Sequence, residues 1–249
     1  MGFYTANCFS IDNINWEDDP LFETEEHTVS IWRIKIVPDP AQLERLSGLL
    51  NPGELARAAR YHHEKDRRRF MISRSSLRIL LSRYLNQPPG DIELGVGTNK
   101  KPYLKQPAAR IHYNTSHVDG YVVIAIASSE VGVDVEKTNT AFEWNEILYS
   151  TFSRDEIAWV EQSPDPRYSF YQLWTRKEAL AKATGKGLQD DLSIFPSLDG
   201  PHHLSDKDFH SSWKIGSLKV DNDTVGAVAY QPMIHIHKFH SLNIENFSF

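Results

Sequence analysis

GVDVEK at residues 132–137 and WTRKEALAK at residues 174–182 decide how this chain folds. Successive side chains of a strand alternate between faces, so Val133 and Val135 point one way and Asp134 and Glu136 the other. The acidic side then holds two carboxylates about 7 Å apart. In the second stretch Trp174, Glu178 and Lys182 recur every four residues, which stacks them on one face of a helix. Brought together, the two elements converge three carboxylates and an ammonium. Two readings are open. The acids can be the solvated face of an antiparallel strand, with Glu178 and Lys182 an exposed ion pair contributing about 0.3–0.5 kcal/mol. Alternatively they hold a divalent cation, which removes the repulsion between them; oxygen-only ligands suit Mg²⁺ completed by substrate phosphates and water.

Around these strings the chain reads as mixed α and β. Residues 29–37 alternate and end at Pro38, a strand, and Asn51 with Glu54 forms a capping box with Pro52 at the first helical position. Helices follow to Asn86, and Pro88, Pro89 and Gly90 make a turn. Residues 121–127 are a strand, 128–130 a turn, and Ser153 with Glu156 caps another helix. Pro164 to Pro166 interrupt, and residues 168–184 form the helix carrying WTRKEALAK, closed by Gly185 and Gly187. A faint echo links residues 70–77 with residues 170–177.

The expected helix over 67–85 carries Arg67, Arg68, Arg69, Arg74, Arg78 and Arg83 and no acid. Arg67, Arg74 and Arg78 share one face, and Leu77, Leu81, Tyr84 and Leu85 another. Either this is a solvated basic face or it meets a phosphate-rich ligand, whose oxygens guanidinium forks match with paired hydrogen bonds.

At 249 residues the chain can bury a substantial core as one large domain or two smaller ones. Its 40% hydrophobic and 24% charged residues are ordinary for a globular protein, and a net charge of −6 argues against a general nucleic-acid binder. Cys8 is the single cysteine, so no intramolecular disulfide forms. Residues 1–28 lack a basic segment followed by an apolar one, and Ala6 stands where a myristoylation motif wants Ser or Thr. The apolar run over 121–127 is too short to span a bilayer. A cytoplasmic protein without membrane attachment is expected. His235, His237 and His240 alternate like a metal clip but lack a completing acid or cysteine, and read as strand and tail.

GVDVEK followed about forty residues later by WxxKEAxxK resembles the signature pair of the 4′-phosphopantetheinyl transferases, specifically the larger single-chain, surfactin-synthetase-activating (Sfp) type. Lys101-Pro102 resembles that family's GKP element, NTSH at 114–117 its NxSH element and FSRDE at 152–156 its FSxxE element, all in family order. Val118 replaces the serine usual after the histidine, and Lys100 the glycine before Lys101. The resemblance implies an α+β pseudodimer of two similar halves with the active site between them. Residues 1–28 would be a poorly ordered extension of the first half, 29–131 the first half with the coenzyme A phosphate site, and 132–249 the second half with the metal site. It implies Mg²⁺ on Asp134, Glu136 and Glu178, with Glu178, Lys182 and His117 in the chemistry. It further implies coenzyme A held by Arg57, Arg69, Arg74, Lys101, Pro102, Ser116, His117 and Lys182. The reaction implied transfers 4′-phosphopantetheine from coenzyme A to a serine hydroxyl of an acyl or peptidyl carrier protein, releasing 3′,5′-ADP, by a monomeric enzyme. A metal-dependent coenzyme A or nucleotide pyrophosphatase and a non-catalytic coenzyme A-binding module remain as alternatives.

Overall fold

Alternation along the strands sorts apolar residues into separate cores on the two sides of each sheet. The computed structural model describes residues 4–18, 26–37, 39–97, 101–105, 110–138, 141–186, 191–205, 207–234 and 236–244. The first stretch of chain gives β1 (Tyr4–Ser10), β2 (Glu17–Asp18), β3 (Thr28–Lys35), α1 (Pro40–Ser47), α2 (Pro52–Ala58) and α3 (Glu64–Leu85). Next come β4 (Leu94–Val96), β5 (Pro102–Leu104), β6 (His112–Val118), β7 (Tyr121–Ala127) and β8 (Val131–Lys137). The remainder holds α4 (Asn145–Thr151), α5 (Arg154–Glu161), α6 (Pro166–Thr184), β9 (Gly200–Leu204), β10 (Trp213–Lys219), β11 (Thr224–Tyr230) and β12 (Ile236–Ser241). One mixed sheet runs β2-β12-β3-β7-β6 and the other β8-β11-β10-β1-β9.

Trp32 and Ile34 of β3 and Val122, Ile124 and Ile126 of β7 pack with Ile72, Ile79 and Leu80 of α3. Their odd-numbered neighbours Val29, Ile31, Val123 and Ala125 join Val131, Val133, Val135 and Val228 of the other sheet in a shared cluster. The far face of the second sheet, with Ile215, Ala227 and Ala229, takes Ala179, Leu180 and Ala183 of α6. The layers therefore run helices, sheet, sheet, helices, which is the expected α+β architecture with a long helix on each sheet.

The chain ends cross between the sheets. Tyr4–Ser10, expected in a poorly ordered extension of the first half, is a strand pairing parallel with β10 and antiparallel with β9, and its Ala6 and Cys8 are buried. Ile236–Ser241 likewise leaves the second half to pair parallel with β3. Parallel pairing of each end segment with a strand of the other half has no local sequence signal, because its register is set by tertiary partners. His237 lies on β12; His240 is buried there with its ring 4.3 Å from that of Trp32, and His235 falls outside the described residues.

Local chemistry explains the helix ends. Both capping boxes form, Asn51 with Glu54 and Ser153 with Glu156. Pro166 begins α6 rather than interrupting the chain, since a first-turn proline forfeits no helical hydrogen bond; Asp165 caps Tyr168 N–H. Gly185 closes the helix with φ of 72°; Gly187 and Lys100 fall outside the described residues. α3 starts earlier than expected and is not acid-free: Glu64 and Asp66 occupy its first turn, where carboxylates meet the positive end of the helix dipole.

Gly132 brings α6 onto β8. A Cβ there would overlap the Ala179 carbonyl oxygen and the Ala183 amide nitrogen. Gly132, Asp134 and Glu136 share the face that α6 covers, so this close approach presses Glu178 and Lys182 onto the acidic side of the strand.

Candidate functional site

The site lies where β6, at the edge of one sheet, meets β8, at the edge of the other. Asn114 Oδ1 accepts from Val133 N–H at 2.9 Å, so a side chain supplies the bond that joins the two edges. Two residues on, Ser116 Oγ donates to Asp134 Oδ1 at 3.0 Å. Lys182 Nζ reaches in from α6 to Asp134 Oδ1 at 2.6 Å, Ser116 Oγ at 3.2 Å and the Val133 carbonyl at 3.3 Å. The helical spacing thus delivers Lys182 to the acid strand, where it pairs with Asp134; Glu178 and Asp134 are both buried, so neither acid belongs to an exposed surface pair.

Glu136 and Glu178 complete the acidic set. Burial, and next the Asp134 charge, pushes the carboxyl of each up to about 7; Lys182 opposes the rise in both, and a hydrogen bond with Trp174 opposes it in Glu136. Trp174 stacks on Phe170 with ring centroids 6.0 Å apart. Asp134 Oδ2 and Glu178 Oε1 are buried without a hydrogen-bond partner. Two orphaned carboxylate oxygens beside a third acid fit a hard divalent cation, which would give both a partner and offset the crowded charge. Among the described residues no three acids, histidines or cysteines stand already gathered as a ligand set.

On the opposite face of β6, Thr115 and His117 line a cavity of about 450 Å³ with Arg57, Arg60, Tyr61, Phe70, Arg74 and Pro102. The guanidinium carbons of Arg57 and Arg74 sit 5.0 and 5.9 Å from the centre of the Phe70 ring. His117 is pushed below its ordinary value first by desolvation; Arg69 and Lys182 act in the same direction and Asp134 against it.

The arginines divide by role. Arg78 is buried, donating to Glu54 at 3.0 Å and to the carbonyls of Pro89 and Ile92, so it braces α3 against α2 and the turn beyond the helix. Arg74 shares Glu54 at 3.4 Å but reaches the cavity. Arg69 pairs with Asp66 at 2.7 Å and Asp119 at 3.6 Å, and does not line it. Lys101 Nζ is engaged at 2.9 Å with both Glu130 and the Ala183 carbonyl, tying β5 to the end of α6, while Pro102 faces the cavity. Glu54, which both caps α2 and pairs with two arginines, was invisible as a site residue; its only sequence signal was the capping box. The buried pair of Glu156 and Lys177 at 3.0 Å was equally hidden within the family-like motifs.

Two family models divide the chain between residues 129 and 130. That of the 4′-phosphopantetheinyl transferase N-terminal region matches 35–129, and that of the 4′-phosphopantetheinyl transferase superfamily matches 130–229. The chain is similar to the 4′-phosphopantetheinyl transferase HetI of Nostoc sp., 30% identical over 208 residues that cover 81% of this chain and 86% of the relative. It is also similar to the 4′-phosphopantetheinyl transferase Sfp of Bacillus subtilis, 28% identical over 183 residues, 72% of this chain and 80% of the relative. Among the described residues no helix is long and apolar enough to cross a membrane.

Proposed function

This chain belongs to the 4′-phosphopantetheinyl transferase superfamily, and on that premise we propose how its residues carry out the transfer. The enzyme moves the 4′-phosphopantetheine group of coenzyme A to a serine hydroxyl of an acyl or peptidyl carrier protein and releases 3′,5′-ADP. What supports the reading is the contact of Lys182 with buried Asp134, whose charge also acts on Glu136 and Glu178, at a seam on one face of β6 with the arginine cavity on the other.

Arg57 and Arg74 bind coenzyme A phosphates in that cavity with His117, and Pro102 packs against the ligand. Arg69 contributes through its charge near His117. Ser116 and Lys182 face the pyrophosphate from the seam, and Lys101 holds the β5 wall in place. A Mg²⁺ ion held by Asp134, Glu136 and Glu178 would neutralise charge on the pyrophosphate and on the departing ADP. Lys182 adds positive charge at the same place. Glu178 accepts the proton of the incoming serine hydroxyl, directly or through water, on the carboxylate oxygen not turned to the cation. The enzyme acts as a monomer, since its two halves already supply both sides of the site.

The deciding experiment incubates the protein with coenzyme A, Mg²⁺ and a panel of apo carrier proteins and weighs the intact carriers. A transferase adds the phosphopantetheine mass and leaves a carrier with its modifiable serine changed to alanine untouched. Consumption of coenzyme A without any carrier, and no gain in carrier mass, would overturn the reading in favour of a hydrolase.

The two classes of arginine should separate in kinetics. Arg57→Ala and Arg74→Ala are expected to raise KM for coenzyme A about tenfold, because a charge-assisted hydrogen bond contributes ~1.5–3 kcal/mol. Arg78→Met should instead lower the melting temperature and leave KM near its starting value. An unchanged KM in both cavity variants would return those arginines to a solvated basic face.

A further inference from the structure

The two oxygens of Asp134 are treated differently by their surroundings. Oδ1 accepts from Ser116 Oγ at 3.0 Å and from Lys182 Nζ at 2.6 Å, and Lys182 also donates to Ser116 Oγ at 3.2 Å, closing a three-membered ring of contacts. Oδ2 is buried and has no partner, as is Glu178 Oε1. From this division, and resting on the divalent-cation reading above, we propose that Ser116 is a positioning residue for the metal ligand. Together with Lys182 it saturates Oδ1 and fixes the Asp134 carboxylate with Oδ2 turned toward the cation.

The backbone explains why Ser116 can do this. Asn114 and Ser116 lie on the same side of β6, and the bond from Val133 N–H to Asn114 Oδ1 sets the distance between the strand edges. With that register fixed, the next side chain on the same face, Ser116, comes opposite Asp134. The Lys182 ammonium spends its three N–H donors on Asp134, Ser116 and the Val133 carbonyl, so its position is also fixed before any ligand arrives. Groups that hold a metal ligand in one orientation commonly change affinity by about 10- to 100-fold when removed. The hydroxyl therefore does work on the cation even where no phosphate is present, and this separates it from a residue whose only task is to contact coenzyme A.

The test measures Mn²⁺ binding by electron paramagnetic resonance in the protein without coenzyme A. Ser116→Ala keeps the charge of the site and should weaken Mn²⁺ binding about tenfold or more. Ser116→Thr restores a hydroxyl and should recover most of it, which a packing defect would not allow. Asp134→Asn reports on the cation site itself. If Asp134→Asn abolishes Mn²⁺ binding while Ser116→Ala binds as the unaltered protein does, the positioning role is wrong and the cation site stands. If Asp134→Asn also binds unchanged, the cation reading fails with it.

Discussion

Glu178→Gln is expected to lower turnover by about two orders of magnitude or more, equivalent to at least ~2.7 kcal/mol of transition-state stabilisation. The substitution keeps the side chain's size and removes its charge, its second carboxylate oxygen and its ability to take a proton. Each loss matters at this position. The Glu178 carboxyl is buried, its Oε1 has no partner, and burial followed by the Asp134 charge pushes it up to about 7. An amide cannot balance a divalent cation as a carboxylate does, nor accept the proton of a serine hydroxyl. The same burial predicts that stability does not suffer: a neutral amide relieves repulsion in the metal-free protein, so the melting temperature should hold or rise. Asp134→Ala should lose as much activity but also stability, because Lys182 and Ser116 then lose their shared acceptor. Steady-state transfer to a carrier, with melting curves recorded in chelator, checks both. Full turnover in Glu178→Gln, or in excess chelator, would remove these carboxylates from the chemistry.

What the sequence made legible was local. Alternation in GVDVEK separated Val133 and Val135 from Asp134 and Glu136, and fourfold spacing put Glu178 and Lys182 on one helical face; both survive because strand and helix periods are fixed by backbone geometry. The two capping boxes were legible for the same reason, each being closed within four residues. Contacts that depend on long-range register were not. Nothing near Ser116 announces that its hydroxyl meets Asp134, or that Asn114 replaces a backbone acceptor for Val133. The arginines of α3 looked equivalent by face, yet Glu54 on another helix takes Arg78 into the interior and leaves Arg74 at the cavity. Lys101 read as a ligand contact, while its ammonium is held by Glu130 and the end of α6. The strand over residues 4–10 was missed, and the strand read near His237 gave no hint of its parallel pairing with β3, because the partners of both lie in the opposite half.

Glu156→Gln should cost about 3–5 kcal/mol of folding stability, the usual penalty for leaving one member of a buried ion pair behind. Lys177 is wholly buried immediately before Glu178; its Nζ meets Glu156 Oε2 at 3.0 Å and the Phe195 and Leu192 carbonyls at 2.5 and 3.4 Å. Glu156 answers with Ser197 Oγ at 2.5 Å and the Ser153 amide at 2.8 Å, so one carboxylate joins α5, α6 and the segment after α6. Burial lowers the Lys177 pKa and the Glu156 charge opposes the shift, as expected for an ammonium that depends on its partner. With glutamine at 156 that ammonium keeps two carbonyls and no paired carboxylate. The double variant Glu156→Gln, Lys177→Met removes the stranded charge and should be clearly less destabilised than the sum of the single variants, a coupling of about 0.5–3 kcal/mol. Urea unfolding of the four proteins measures it. The expected functional signature is a loss of active protein on warming with kcat nearly intact at low temperature, because this pair lies beneath the site and touches no substrate. A cost below about 1 kcal/mol for Glu156→Gln, in the range of an exposed pair, would mean that the junction is held by its apolar neighbours instead.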